Sequence, residues 1–343
     1  MEIIFLSFSL FFVSIIFLRS TKNFFNKKIF IDKPSDRSNH AIPTPKGAGL
    51  ILMPILIFST LLVFFLDGTL NQQWLIFTSL ILILTVVSFL DDIKNLPSSV
   101  RLFFHFLCVI TSIYFLKNEF IVFFSNVSFF DNFNIDRRLI IFSFLIFIVL
   151  FWMWLINLFN FMDGMDGITP VQICSFTLGI NFLSILGLVN GNLQILSLII
   201  FTIFLAFYIF NKPPAKIFLG DVGSIPLGFI VGLVTLKCVL SYNIFIPLII
   251  LIMYHLLDSS VTLIIRVWKR KNIFSAHSDH FYQRVLRSGK SHNYVLNKIK
   301  VLNIFLLVLS ISSTRFPAEC LCIAVLTTSL LLYYFYRQGI KNG

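Results

Sequence analysis

The chain is a succession of apolar runs, each close to the length a helix needs to cross a bilayer, separated by short polar loops. Crossing the hydrocarbon takes roughly 20 apolar residues. Inside it every backbone N–H and C=O must be bonded within the protein, so a lone run is committed to helix. Such runs lie near 3–19, 48–66, 74–90, 102–116, 139–156, 170–188, 192–210, 223–240, 243–265, 299–314 and 317–336. The expectation is an all-α polytopic integral membrane protein with about 10–11 transmembrane helices. It is read as a single transmembrane domain over residues 1–343, because no loop has room for a soluble one. A content of 57% hydrophobic and 12% charged residues, with 43 Phe, suits a surface that faces lipid.

The net charge of +12 could point to nucleic acid, but the basic residues sit in short loops between apolar runs. If the N-terminus is outside, all but Lys117, Arg137, Arg138, Lys237 and Arg315 of the 27 Lys and Arg fall on the inner side. That is the positive-inside bias, which accounts for the charge without any nucleic-acid partner. The first run has Glu2, no basic cluster before it and no small-residue cleavage site, so it is read as a retained span. Cys108, Cys174, Cys238, Cys320 and Cys322 all lie in apolar stretches without zinc-ligand spacing and are read as filler.

Nearly every polar cluster falls on the inner loops. The densest is Asn157-Leu-Phe-Asn-Phe-Met-Asp-Gly-Met-Asp-Gly167, which can turn from one helix into the next and gather Asn157, Asn160, Asp163 and Asp166. Carboxylates with neutral oxygens at a membrane boundary are what a hard cation and phosphate ligands need, although an ordinary polar connector is the plainer reading of this stretch alone. Loop 20–47 holds Asp32, Arg37, His40 and Pro43-Thr-Pro-Lys-Gly-Ala-Gly49. Its exposed amides beside Lys46 can hold a phosphate; a basic loop meeting anionic headgroups is the simpler alternative.

Asp91-Asp92 closes one span. A helix cap explains one of the two acids but not both. In Asn211-Lys-Pro-Pro-Ala-Lys-Ile-Phe-Leu-Gly-Asp-Val-Gly-Ser224, Asp221 opens the next span; it is a candidate metal ligand, with Ser224 and free N–H groups beside it for an anion. The last large loop carries Ala276-His-Ser-Asp-His280, then Tyr282, Gln283, Arg284 and Arg287. Without a Cys or a third His nearby it fits a diphosphate grip better than zinc. His105 and His292 are read as structural. His255 and Asp258 share a face at i, i+3, as either a functional pair or a packing pair.

In this order, Asp91-Asp92, Asn157-x-x-Asn160-x-x-Asp163-Gly-x-Asp166-Gly, Pro214-Ala-Lys-Ile-Phe-Leu-Gly-Asp221-Val-Gly-Ser and Ala276-His-x-x-His280-x-Tyr-Gln-Arg284 resemble the polyprenyl-phosphate N-acetylhexosamine-1-phosphate transferases of glycosyltransferase family 4. The His-x-x-His-x-Tyr-Gln-Arg form is more similar to the O-antigen-initiating branch than to the peptidoglycan phospho-MurNAc-pentapeptide branch. The chain departs from the pattern at Lys46, Ala48, Gln172 and Ser278, positions that bear on the sugar more than on the reaction.

The resemblance implies transfer of a sugar-1-phosphate from a UDP-N-acetylhexosamine to undecaprenyl phosphate, with release of UMP. It implies Mg²⁺ (Mn²⁺ as an alternative) and an active site on the cytoplasmic face of a bacterial inner membrane. The polymer begun would be a cell-envelope polysaccharide such as the O-antigen of lipopolysaccharide, and a homodimer is compatible with it. Asp221 with Asn160 would hold the metal, and Asp91 or Asp92 would position or deprotonate the lipid phosphate. Asn157, Asp163 and Asp166 would shape the nucleotide side; Lys46, Lys216, Ser224, His277, His280 and Arg284 would hold phosphates or sugar. A secondary transporter is the main rival, although it would place its acids near mid-span and only Asp258 is deep.

Overall fold

A computed structural model describes residues 2–21, 31–32, 43–126, 136–272 and 277–340, with the backbone alone for residues 2–6 and 126. Arg37, His40 and Ala276 of the sequence reading lie outside the described residues. The helices are α1 (Glu2–Ser20), α2 (Gly49–Leu66), α3 (Gln72–Lys94), α4 (Ser98–Phe115), α5 (Lys117–Asn126), α6 (Arg137–Met162) and α7 (Ile168–Ile185). They continue as α8 (Asn192–Asn211), α9 (Asp221–Tyr242), α10 (Ile246–Leu251), α11 (Met253–Trp268), α12 (Phe281–Arg287), α13 (His292–Ser312) and α14 (Pro317–Ile340). One short antiparallel pair, β1 (Ile31–Asp32) with β2 (Thr44–Pro45), sets Asp32 opposite Thr44.

Among the described residues, nine helices are long and apolar enough to cross a membrane: α2, α3, α4, α6, α7, α8, α9, α13 and α14. The first expected span is α1. The run 243–265, expected as one helix, is broken into α10 and α11 at Ile252. Pro247 opens α10, and the carbonyl of Leu251 at the break accepts a hydrogen bond from Gln172 Nε2 at 2.7 Å. A backbone group released inside a bundle needs such a partner.

Helix ends carry recognisable caps: Asn71 accepts from Trp74 N–H, Asp136 from Arg138 N–H, and Ser291 from Tyr294 N–H. Asn95, in the left-handed conformation at φ 48°, closes α3. α9 is the axis of packing, with 89% of its most apolar stretch buried against 22% for α6. Ser224, Gly228 and Gly232 repeat every fourth residue along it. A Cβ at Gly228 would lie 2.7 Å from Ile156 Cα, and one at Gly232 would lie 2.2 Å from Trp152 Cδ1. Small residues at that spacing let helices close together in lipid. Trp152 Nε1 then donates to the Phe229 carbonyl at 2.9 Å, and the last turn of α6 reaches the first turn of α9.

Candidate active site

The backbone builds the first wall. Gly47 and Ala48 N–H both donate to the Phe218 carbonyl at 3.0 Å, Gly49 N–H to Leu219 at 3.0 Å, and Phe218 N–H to Pro45 at 2.8 Å. Loop 45–49 is thus stitched to the segment before Asp221, and Gly220 turns there with φ 75°. Any Cβ on Gly49 would meet Gly223 N at 2.4 Å, so the starts of α2 and α9 touch backbone to backbone. The result sets Lys46 against the acids, with its Nζ 2.9 Å from Asp92 Oδ1. Burial alone would lower its pKa, yet Asp92, with Asp221 and Asp32 beyond it, holds the ammonium above the usual lysine value.

The adjacent acids divide their work. Asp91 is buried; Oδ1 accepts the Leu96 N–H at 2.8 Å and Oδ2 accepts Arg101 Nη1 at 3.0 Å. Asp92 turns instead to Lys46. Arg101 lies between Asp91 and Asp221, 3.9 Å from Asp221 Oδ2. Sequence reasoning missed this arginine. Its signal was a lone Arg in the first turn of α4, one short loop after the paired acids.

The Asn/Asp stretch forms the turn between α6 and α7. Asn160 Nδ2 donates to Asp221 Oδ1 at 2.9 Å and to Ser224 Oγ at 3.1 Å. Asp163, half-buried, accepts from Thr169 Oγ1 at 2.5 Å. Burial, and then the nearby Asp221 charge, push its carboxyl up to about 7 despite that bond. Asp166 is tied on both sides, accepting Ala215 N–H at 3.0 Å and standing 3.2 Å from His292 Nδ1. Asn211, also missed in the sequence, joins the loops: its Oδ1 accepts Gly167 N–H and its Nδ2 donates to the Ile217 carbonyl, both at 2.9 Å. Asn157 lies one turn before Asn160 and donates to its own helix at Met153.

The last loop is held from α11. Asp258 takes His280 Nδ1 at 3.1 Å, and Arg266 pairs with Asp279. Arg284 Nε donates to the Asp279 carbonyl at 2.7 Å and Arg287 to that of Ser278, so both arginines bind the loop's own backbone. The i, i+3 pairing of His255 with Asp258 does not form: Asp258 turns to His280, while the His255 ring packs 5.4 Å from that of Phe159. Burial, with His280 and Arg266 nearby, pushes His277 down to about 4, leaving it a neutral imidazole at neutral pH.

Two cavities meet here. A polar one of about 240 Å³ is lined by Asp32, Lys46, Asp163, Asp166, Asp221 and His292, among others. A more apolar groove of about 520 Å³ runs past Leu102, His105, Leu150, Trp154, Asn157 and Leu263 to Arg101, His277 and His280. Asn160 lines both. Lys46, Asp91, Asp92, Asn160, Asp221 and Ser224 are therefore gathered, with Asp163 and Asp166 on the polar side and Asn157, His277 and His280 on the groove. Lys216 is exposed and, like Arg284, lines neither cavity.

The segment from α3 to α9 that carries most of this cluster, residues 74–239, matches the family described as Glycosyl transferase family 4. In that segment the chain is similar to glycosyl transferase family 4. The matched segment contains Asp91, Asp92, Arg101, Asn160 and Asp221, while Lys46 and the 277–284 loop flank it on either side. The chain is similar to a probable undecaprenyl-phosphate N-acetylglucosaminyl 1-phosphate transferase of Bacillus subtilis, 27% identical over 53% of this chain and 51% of the relative. It is also similar to phospho-N-acetylmuramoyl-pentapeptide-transferases of Streptococcus thermophilus, 34% identical over 37% of this chain and 36% of the relative, and of Streptococcus pneumoniae, 39% over 25% and 26%. The chain spans about half the length of the first of these curated relatives and less of the others.

Proposed function

We propose that this protein transfers a sugar-1-phosphate from a UDP-N-acetylhexosamine to undecaprenyl phosphate, giving the undecaprenyl-diphosphate sugar and UMP. The reading sets it in the bacterial inner membrane, with the site on the cytoplasmic face, at the first membrane step of an envelope polysaccharide. One observation carries it: Asn160 and Asp221, flanked by Lys46–Asp92 and Arg101–Asp91, stand where a polar cavity meets an apolar groove. A nucleotide sugar fits the first chamber and a lipid phosphate the second.

In this reaction an oxygen of the lipid phosphate forms a bond to the β-phosphorus of the nucleotide sugar. The bond from that phosphorus to the oxygen bridging to the α-phosphate breaks, and UMP leaves with that oxygen. Both partners are anionic, so the barrier is largely electrostatic. Lys46 and Arg101 are the cations at the junction and would screen the approaching phosphates. Asp92 would orient the lipid phosphate, whose second pKa near neutrality makes proton removal easy. Asp163 and Asp166 would bound the nucleotide side.

Among the described residues no group of three or more His, Cys, Asp or Glu is placed to hold a metal alone. With Asn160 Nδ2 given to Asp221 Oδ1 and Ser224, the oxygens left are Asp221 Oδ2 and Asn160 Oδ1, a set that suits Mg²⁺, which takes one or two carboxylates and completes its shell with phosphates and water. Asp221, with Asn160, would hold it, and when bound it supplies charge neutralisation at the diphosphate.

The name of the Bacillus subtilis relative and the His277-x-x-His280 form favour an N-acetylhexosamine donor, with the O-antigen-initiating branch as its setting. The streptococcal names favour a second reading, the phospho-N-acetylmuramoyl-pentapeptide branch. Membranes carrying the protein, supplied with undecaprenyl phosphate and a panel of radiolabelled UDP-sugars, should pass label into extracted lipid from UDP-N-acetylhexosamines, stop with EDTA and resume with Mg²⁺. Label from UDP-N-acetylmuramoyl-pentapeptide alone would select the second reading. Label in no lipid, with sugar carried across vesicles, would replace both by a transporter.

A further inference from the structure

A fully buried carboxylate inside a helix bundle is costly unless its oxygens are satisfied. Asp258 is 0% exposed, and no Lys or Arg pairs with it among the described residues. Its partners come from two elements. From α11 itself, Tyr254 OH donates to Oδ2 at 3.3 Å and Thr262 Oγ1 to Oδ1 at 3.4 Å, on one helical stripe. From the last loop, Phe281 N–H reaches Oδ1 at 3.2 Å, and His280 Nδ1 lies 3.1 Å from the same oxygen. Asp258 thus takes the first N–H of α12 from outside, beside the capping box of His280 and Gln283.

The histidine is constrained from every side. His280 is 2% exposed, its ring lies 5.2 Å from that of His277 and 5.9 Å from that of Tyr282, and its backbone N–H is held by Gln283 Oε1. Because Oδ1 already accepts an amide hydrogen, the atom facing His280 is an acceptor. The imidazole must therefore carry a proton on Nδ1. His280 also lines the groove that Asn160 and Arg101 close. With Nδ1 turned to Asp258, Nε2 is the nitrogen left for that groove.

We propose that Asp258 is a positioning residue: it fixes the His280 ring with its proton on Nδ1 and so turns the Nε2 lone pair to the groove, where it accepts the hydrogen of a phosphate hydroxyl held at the polar end. The inference rests on the transferase reading above. Asp258→Leu removes the oxygen that Phe281 N–H and His280 Nδ1 share, so the neutral ring is free to carry its proton on Nε2 instead. It should lower kcat by about 10–100-fold, the range for losing a partner that orients an imidazole, with KM for undecaprenyl phosphate within about twofold. The loss should not multiply with that of His280→Gln in the double variant. An unchanged kcat in Asp258→Leu, or losses that multiply, would overturn the role.

Histidine-selective ¹⁵N spectra of the detergent-solubilised wild-type protein, assigned by the His280→Gln variant, test the tautomer even where Asp258→Leu fails to fold. An Nδ1–H signature with Nε2 bearing no proton is expected; an Nε2–H neutral tautomer or a doubly protonated ring sinks the inference. The spectra need no turnover. A wild-type protein that transfers no sugar phosphate would refute the transferase reading alone and leave the Asp258–His280 geometry to be judged by ¹⁵N.

Discussion

At the scale of single residues, the site rests on acids that neighbours hold in different states. Asp221 is touched by Asn160 and approached by Arg101, so replacing its carboxylate by an amide of the same size keeps the shape and removes the charge. Asp221→Asn should cut UMP release by roughly 10²–10³-fold, the cost of losing one preorganised charge-stabilising group, with its melting profile in detergent unchanged. Asp163 makes the opposite case. Its carboxyl is pushed from 3.8 to about 7, so the folded protein holds a proton there that the unfolded chain releases. Stability from this group is full below about pH 4 and is lost as pH rises toward 7. Relative to Asp163→Asn, the wild type should lose on the order of 2 kcal/mol between those limits, visible as a pH-dependent gap between their melting temperatures. The sequence made the acids and Asn160 legible because their spacing is that of a turn and they sit next to apolar runs. Arg101, Asn211 and His292 were not legible. Each works by reaching a partner from a distant segment, and one-dimensional spacing carries no trace of that.

At the scale of elements, the site depends on where helices are allowed to touch. Gly49 and Gly223 meet backbone to backbone, and only there can loop 45–49 lay its amides on the Phe218 and Leu219 carbonyls. Gly49→Ala should force α2 away from α9, cost about 1–3 kcal/mol in thermal unfolding, and lower turnover by loosening Lys46 from Asp92. Substitution at Gly68, where a Cβ would meet nothing within 4 Å, serves as the control for stability, with the strain of its φ 66° confined to an exposed turn. Apolar run length located the helices well, since lipid leaves the backbone few alternatives. It could not locate the break at Ile252. Residues 244–253 are apolar on both sides of it, and the partner that satisfies the Leu251 carbonyl, Gln172, comes from α7.

At the scale of the whole molecule, Lys46, Asp92, Asn160, Asp221 and the 277–280 loop all lie at one end of the bundle, the end where the sequence places most of its positive charge. A cysteine introduced at Ser278 should react with a membrane-impermeant maleimide in inverted vesicles and not in intact cells; labelling from outside would reverse the orientation.

The deep burial of α9 has a consequence for how this protein can vary. Its mean hydropathy of 1.9 is well below the 2.9 of α6, yet it is the span most enclosed by protein. Insertion into the membrane and tolerance of change therefore follow different orders. In a saturation library selected for growth or turnover, Leu-to-Phe exchanges along the lipid-facing side of α6 should survive freely. The same exchanges in α9 should be purged, so that a helix of middling hydropathy becomes the slowest of the bundle to drift.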